Sequence, residues 1–138
     1  MMISAYNSTT QAVEVGGAFV FDTNRIATGC TVGHTPGAAV FTLNKPGYYY
    51  VTFNAVAAAT TTVGELTIEL YNNGVAVPGA EASYTTTTAG ENATYAFSTI
   101  IRVPPSCCMV NSNANLTVVN TGVDATYTNA NINITKLC

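Results

Sequence analysis

A nucleophile–base relay in this chain would have to run through His34, its single histidine. His34 lies in the turn-forming run Gly33-His34-Thr35-Pro36-Gly37, with Cys30 four residues before it. Two chemistries suit that pairing: a thiol nucleophile beside an imidazole, or metal ligation by Cys30 and His34 completed by Cys107 or Cys108, ligand types that zinc accepts. Three copies of His34 around a three-fold axis would be another metal site. Against these stands a plainer reading, a turn histidine held by backbone hydrogen bonds, and neighbouring cysteines chelate one ion poorly. The spacing of Cys30, Cys107, Cys108 and Cys138 is neither a zinc ribbon nor a CxxC redox pair, so buried thiols or disulfides formed after release are both open. The carboxylates Glu14, Asp22, Glu65, Glu69, Glu81, Glu91 and Asp124 are dispersed. Glu65 and Glu69 would share one strand face, but a glycosidase needs two carboxyls at a fixed separation, and a lone same-face pair reads as solvated surface. No loop clusters the oxygens that calcium wants. The residues therefore predict no enzyme, no cofactor and no resident metal.

The elements that would position these side chains are strands. The chain has 138 residues, enough for one domain with its own core. Only 8% of them are charged, against roughly 25% in ordinary proteins, while 48% are hydrophobic. Thr, Asn, Ser, Ala and Gly fill the deficit, a surface suited to close packing against copies of itself. The four cations Arg25, Lys45, Arg102 and Lys136 are scattered and the net charge is −3, which excludes a phosphate-neutralising surface and hence nucleic acid as partner. No apolar run reaches the length of a membrane span. The polar start lacks a signal-peptide pattern, which predicts folding in a cytoplasm, followed by release on lysis or assembly onto a spore.

Short runs rich in Val, Ile, Thr, Tyr and Phe, punctuated by Gly, Asn and Pro, predict strands at 13–21, 28–34, 38–43, 48–57, 64–71, 82–87, 93–103, 115–120 and 131–137. Asn44-Lys45-Pro46-Gly47 and Asn72-Asn73-Gly74 are turns. Residues 1–10 are expected to form a tether ahead of a single domain at 11–138. The run 48–57 is two-faced. Alternation puts Tyr49, Val51 and Phe53 on one side and Tyr48 and Tyr50 on the other. The first set is expected in a sandwich core. The second, with Asn131 and Asn133 of the last strand, is expected at a subunit interface, where tyrosine supplies area and a hydroxyl.

Several segments carry a family resemblance. Phe41-Thr42-Leu43-Asn44-Lys45-Pro46-Gly47-Tyr48-Tyr49-Tyr50-Val51-Thr52-Phe53 resembles the signature strand of the trimeric jelly rolls shared by tumour necrosis factor and complement collectins. The runs 11–17, 34–37, 70–79, 116–122 and 132–137 extend the likeness to a bacterial and phage branch, which includes C-terminal domains of collagen-like exosporium glycoproteins and heads of phage fibre or decoration proteins. The resemblance implies an all-β, ten-stranded jelly-roll sandwich forming a homotrimer with aromatic packing on its axis. It implies no single ligand. The absence of Gly-X-Y repeats favours a virion decoration or head-fibre protein, with host or glycan adhesion as an added role, over a carbohydrate- or receptor-binding module of a spore or cell surface. The expected location is the surface of a virion assembled in a bacterial cytoplasm.

Overall fold

The computed structural model describes residues 2–57, 64–85, 87, 93–105 and 114–137. Cys107, Cys108, Cys138 and Glu91 lie outside them. Among the described residues eleven strands form, in chain order: β1 (Met2–Tyr6), β2 (Gln11–Val13), β3 (Thr23–Thr28), β4 (Val32–Gly33), β5 (Phe41–Leu43), β6 (Gly47–Ala57), β7 (Glu65–Asn72), β8 (Val75–Thr85), β9 (Ala93–Val103), β10 (Ala114–Asn120) and β11 (Ala125–Lys136). One sheet runs β3-β1-β11-β6-β9, with β2 also paired to β11; the other runs β4-β5-β10-β7-β8. All the pairings are antiparallel. The architecture is a two-sheet jelly-roll sandwich. The resemblance implied ten strands, and β2 is a three-residue strip beside β11.

The inner faces interdigitate through aromatics. Tyr49, Val51 and Phe53 are buried on β6. The Phe53 ring lies 5.4 Å from Phe19 and 5.3 Å from Phe97, and Phe19 lies 4.7 Å from Tyr127. Such offset and edge-on pairs add to the stabilisation from burial alone. Tyr95 and Tyr127 are buried with their hydroxyls unpartnered, and loss of solvent pushes the Tyr95 phenol up to about 12.

Three sequence expectations need correction. Residues 1–10 are not a free tether: β1 is an interior strand, paired with β11 on one side and β3 on the other, with Ile3, Ser4 and Ala5 buried. Its polar neighbours disguised a five-residue strand whose place is set by two distant partners. Residues 13–21 are not one strand. Gly16 turns at φ 83°, Gly17 N–H donates back to the Glu14 carbonyl, and only a bridge from Ala18 to Val119 follows. Phe19 and Phe21 then enter the core as plugs from irregular chain. Finally, the strand expected at 82–87 begins earlier, at Val75, and carries Pro78-Gly79 within it, where the register to β7 is shifted and Gly79 takes φ 84°. An edge strand tolerates a proline because one side needs no donor.

Asn120 fastens the loops at one end. It is fully buried; its amide donates to the carbonyls of Val13 and Val123, both at 2.9 Å, and its Oδ1 accepts from Gly122 N–H. Gly122 is there because nothing larger fits. A Cβ on it would lie 2.3 Å from the Glu65 carbonyl oxygen and 2.5 Å from the Thr67 nitrogen.

Candidate interaction surface

The outer face of the β3-β1-β11-β6-β9 sheet combines aromatic and neutral polar groups. Directly opposed residues of antiparallel strands point to the same side, so the register builds this face row by row. Tyr50 sits between Ile100 of β9 and Thr135 of β11, and Tyr48 sits opposite Arg102. Tyr48, Tyr50 and Ile100 are 45%, 41% and 57% exposed, making a contiguous apolar patch at one end. Asn133 lies opposite Thr52 and donates to its hydroxyl at 3.2 Å. Asn131 lies opposite both Tyr6 and Asn54. The four residues named from the sequence for this face, Tyr48, Tyr50, Asn131 and Asn133, are thus placed together on one outer surface, with Tyr49, Val51 and Phe53 beneath it. It can bury aromatic area and exchange hydrogen bonds without desolvating many charges.

His34 is half-buried in a separate place. Its ring stacks on Phe41, with centroids 4.1 Å apart and planes 8° apart. Nε2 faces the Ala38 carbonyl at 2.9 Å, and Nδ1 faces Oδ1 of Asn24, whose amide nitrogen donates to the His34 carbonyl. Both ring nitrogens are therefore occupied, and a metal or a thiol would have to displace one of them. Burial pushes the imidazole below its ordinary 6.5, opposed by the Ala38 contact. Cys30 is exposed. Among the described residues no group of three His, Cys, Asp or Glu side chains could hold a metal ion.

Glu65 and Glu69 both lie on β7, as expected, and each has a different neighbour. Glu65 accepts from the Thr67 hydroxyl at 3.0 Å. Glu69 instead faces Glu81 directly across β7 and β8. Partial desolvation first, then the hydrogen bond and charge of Glu81, push the Glu69 carboxyl above its usual range. Sequence reading missed the pair because it began the partner strand at Ala82, one residue too late to include Glu81.

No family model and no curated protein matches the chain in sequence. Solved structures do match in shape. The globular domain of the zebrafish complement 1qA protein is similar with a TM-score of 0.70 at 12% identity, over 99% of this chain and 97% of that one. Eiger TNF from S. frugiperda also gives 0.70 at 12% identity, over 99% and 93%. PRD1 vertex protein P5 gives 0.62 at 17% identity, over 99% and 96%. Identities this low carry fold alone. No helix among the described residues is long and apolar enough to cross a membrane. The chain has the all-β, two-sheet jelly-roll fold of the TNF/C1q-like proteins.

Proposed function

We propose that this chain is a homotrimeric structural protein of a virion surface, a capsid decoration or head-fibre component, assembled through the outer face of its β3-β1-β11-β6-β9 sheet. The observation that carries this reading is the exposed Tyr48–Tyr50–Ile100 patch continued by Asn133 and Asn131. A chain with only 8% charged residues and such an exposed patch favours association with copies of itself. The finer likeness to fibre-head and exosporium domains, and the fold shared with PRD1 vertex protein P5, support the location. In this role the protein works by rigid assembly and display of loops.

Immunogold labelling of intact particles purified from the producing cells tests the location. The reading expects label on the particle exterior and the chain among the particle proteins by mass spectrometry. Label confined to spores or cell surfaces would overturn it in favour of a surface adhesion module.

A further inference from the structure

The chain contains a single Asn-Gly step, Asn73-Gly74, and it forms the two-residue loop between β7 and β8. Asn72 pairs with Val75 across it, and both loop residues have positive φ, 52° at Asn73 and 81° at Gly74. This is the primed hairpin turn whose twist matches its strands, and it accounts for both residue types. Both residues are exposed, and a Cβ placed on Gly74 would meet nothing within 4 Å. The loop belongs to the β4-β5-β10-β7-β8 sheet, off the face assigned to the subunit contact, so chemistry there needs no partner chain.

The turn does not account for where the Asn73 side chain is held. Asn73 N–H donates to the Asn115 carbonyl at 2.8 Å, and its Oδ1 accepts the Asn115 N–H at 2.9 Å. The side-chain amide thus stands in for a main-chain carbonyl and continues the β10–β7 ladder one step past the pair Leu116–Asn72. A donor on Oδ1 also polarises the amide. It draws electron density from Cγ and stabilises the oxyanion that forms when Cγ is attacked. The nucleophile is next in the chain: the Gly74 nitrogen closes a five-membered ring on Cγ, and the missing side chain leaves its approach unhindered.

We propose that Asn73-Gly74 is a site of self-modification, where asparagine converts to aspartate and isoaspartate through a cyclic imide. The Gly74 nitrogen gives up its proton and bonds to Cγ; the Cγ–Nδ2 bond breaks, and Nδ2 leaves as ammonia carrying that proton. Water then opens the ring. Cleavage between the Gly74 nitrogen and Cγ gives aspartate. Cleavage between that nitrogen and the main-chain carbonyl carbon gives isoaspartate, with Gly74 now joined through Cγ. Water is the only co-reactant, and nothing is oxidised or reduced. Either product adds one carboxylate, taking the formal net charge from −3 to −4. Isoaspartate also lengthens the main chain by one carbon in a loop whose length sets the β7–β8 register.

Peptide-resolved mass spectrometry of the full chain, kept folded in warm, mildly alkaline buffer, tests this. The expected result is a progressive amide-to-acid mass gain at Asn73, as a mixture of aspartate and isoaspartate. Asn24, Asn54 and Asn120, each followed by a residue with a side chain, stay intact over the same time. Gly74→Asn, which tolerates positive φ, slows conversion at Asn73 about tenfold or more, equivalent to roughly 1.4 kcal/mol at the transition state. Its melting temperature checks the fold, and the comparison among asparagines of the parent chain decides the matter even if the variant misfolds. The site is overturned if Asn73 stays intact in the folded chain; conversion confined to a urea-unfolded sample would mean that the turn protects it. It is equally overturned if the other asparagines convert as fast, or if folded Gly74→Asn reacts at the parental rate.

Discussion

At the residue scale, His34 sets two physical effects against each other. Both its nitrogens face oxygen acceptors, an arrangement that only the doubly protonated ring satisfies in full. Burial opposes charge, and it is the larger cause of the lowered pKa. As the only imidazole in the chain, His34 gives unambiguous NMR ring signals across a pH titration. Its midpoint is expected below 6.5. A depressed folded value means that His34 favours the fold above about 6.5, and that this contribution is lost as pH falls through the folded midpoint. A midpoint above 6.5 would show that the two acceptors outweigh desolvation. The sequence placed this residue in a turn, and its backbone partner at Ala38 fits that setting. Its stacking on Phe41 and its link to Asn24 on β3 depend on strands brought together by the fold, and no local spacing announces them.

At the element scale, β7 carries two tests. Glu69 and Glu81 oppose like charges directly across β7 and β8, which weakens the pairing at neutral pH. The raised Glu69 carboxyl means that this penalty acts above its folded pKa and fades as pH falls through and below it. Glu81→Gln should therefore raise stability in urea at neutral pH by a few tenths of a kcal/mol, given how exposed the pair is, with the gain vanishing in acid. An equal gain at both pH values would assign the effect to something other than charge. Gly122→Ala should destabilise by roughly 1–3 kcal/mol, because its Cβ meets the backbone of β7 rather than a side chain that can move aside; an unchanged unfolding midpoint would mean that the loop can retreat. What was legible among the elements follows the same physics. β6 and β9 announce themselves by long alternating runs of aromatic and β-branched residues. β1 does not, since its interior place comes from β11 and β3. The start of β8 hides behind Pro78-Gly79.

For the whole molecule, the two-sheet jelly roll was readable because alternation and turn chemistry recur along the chain. The interaction face was readable in part: Tyr48 and Tyr50 follow from alternation on one strand. Their company with Ile100 follows from pairing, which the chain does not display locally. Assembly through this face is the central claim. Tyrosines that are 45% and 41% exposed, next to an isoleucine at 57%, leave apolar area in water that a neighbouring copy would remove. The most direct test is native mass spectrometry of the full chain at micromolar concentration, beside a variant carrying Tyr48→Ser and Tyr50→Ser. The account predicts a homotrimer for the parent chain and a shift toward monomer for the variant, with the fold retained by circular dichroism. A parent chain that runs as a clean monomer would contradict it.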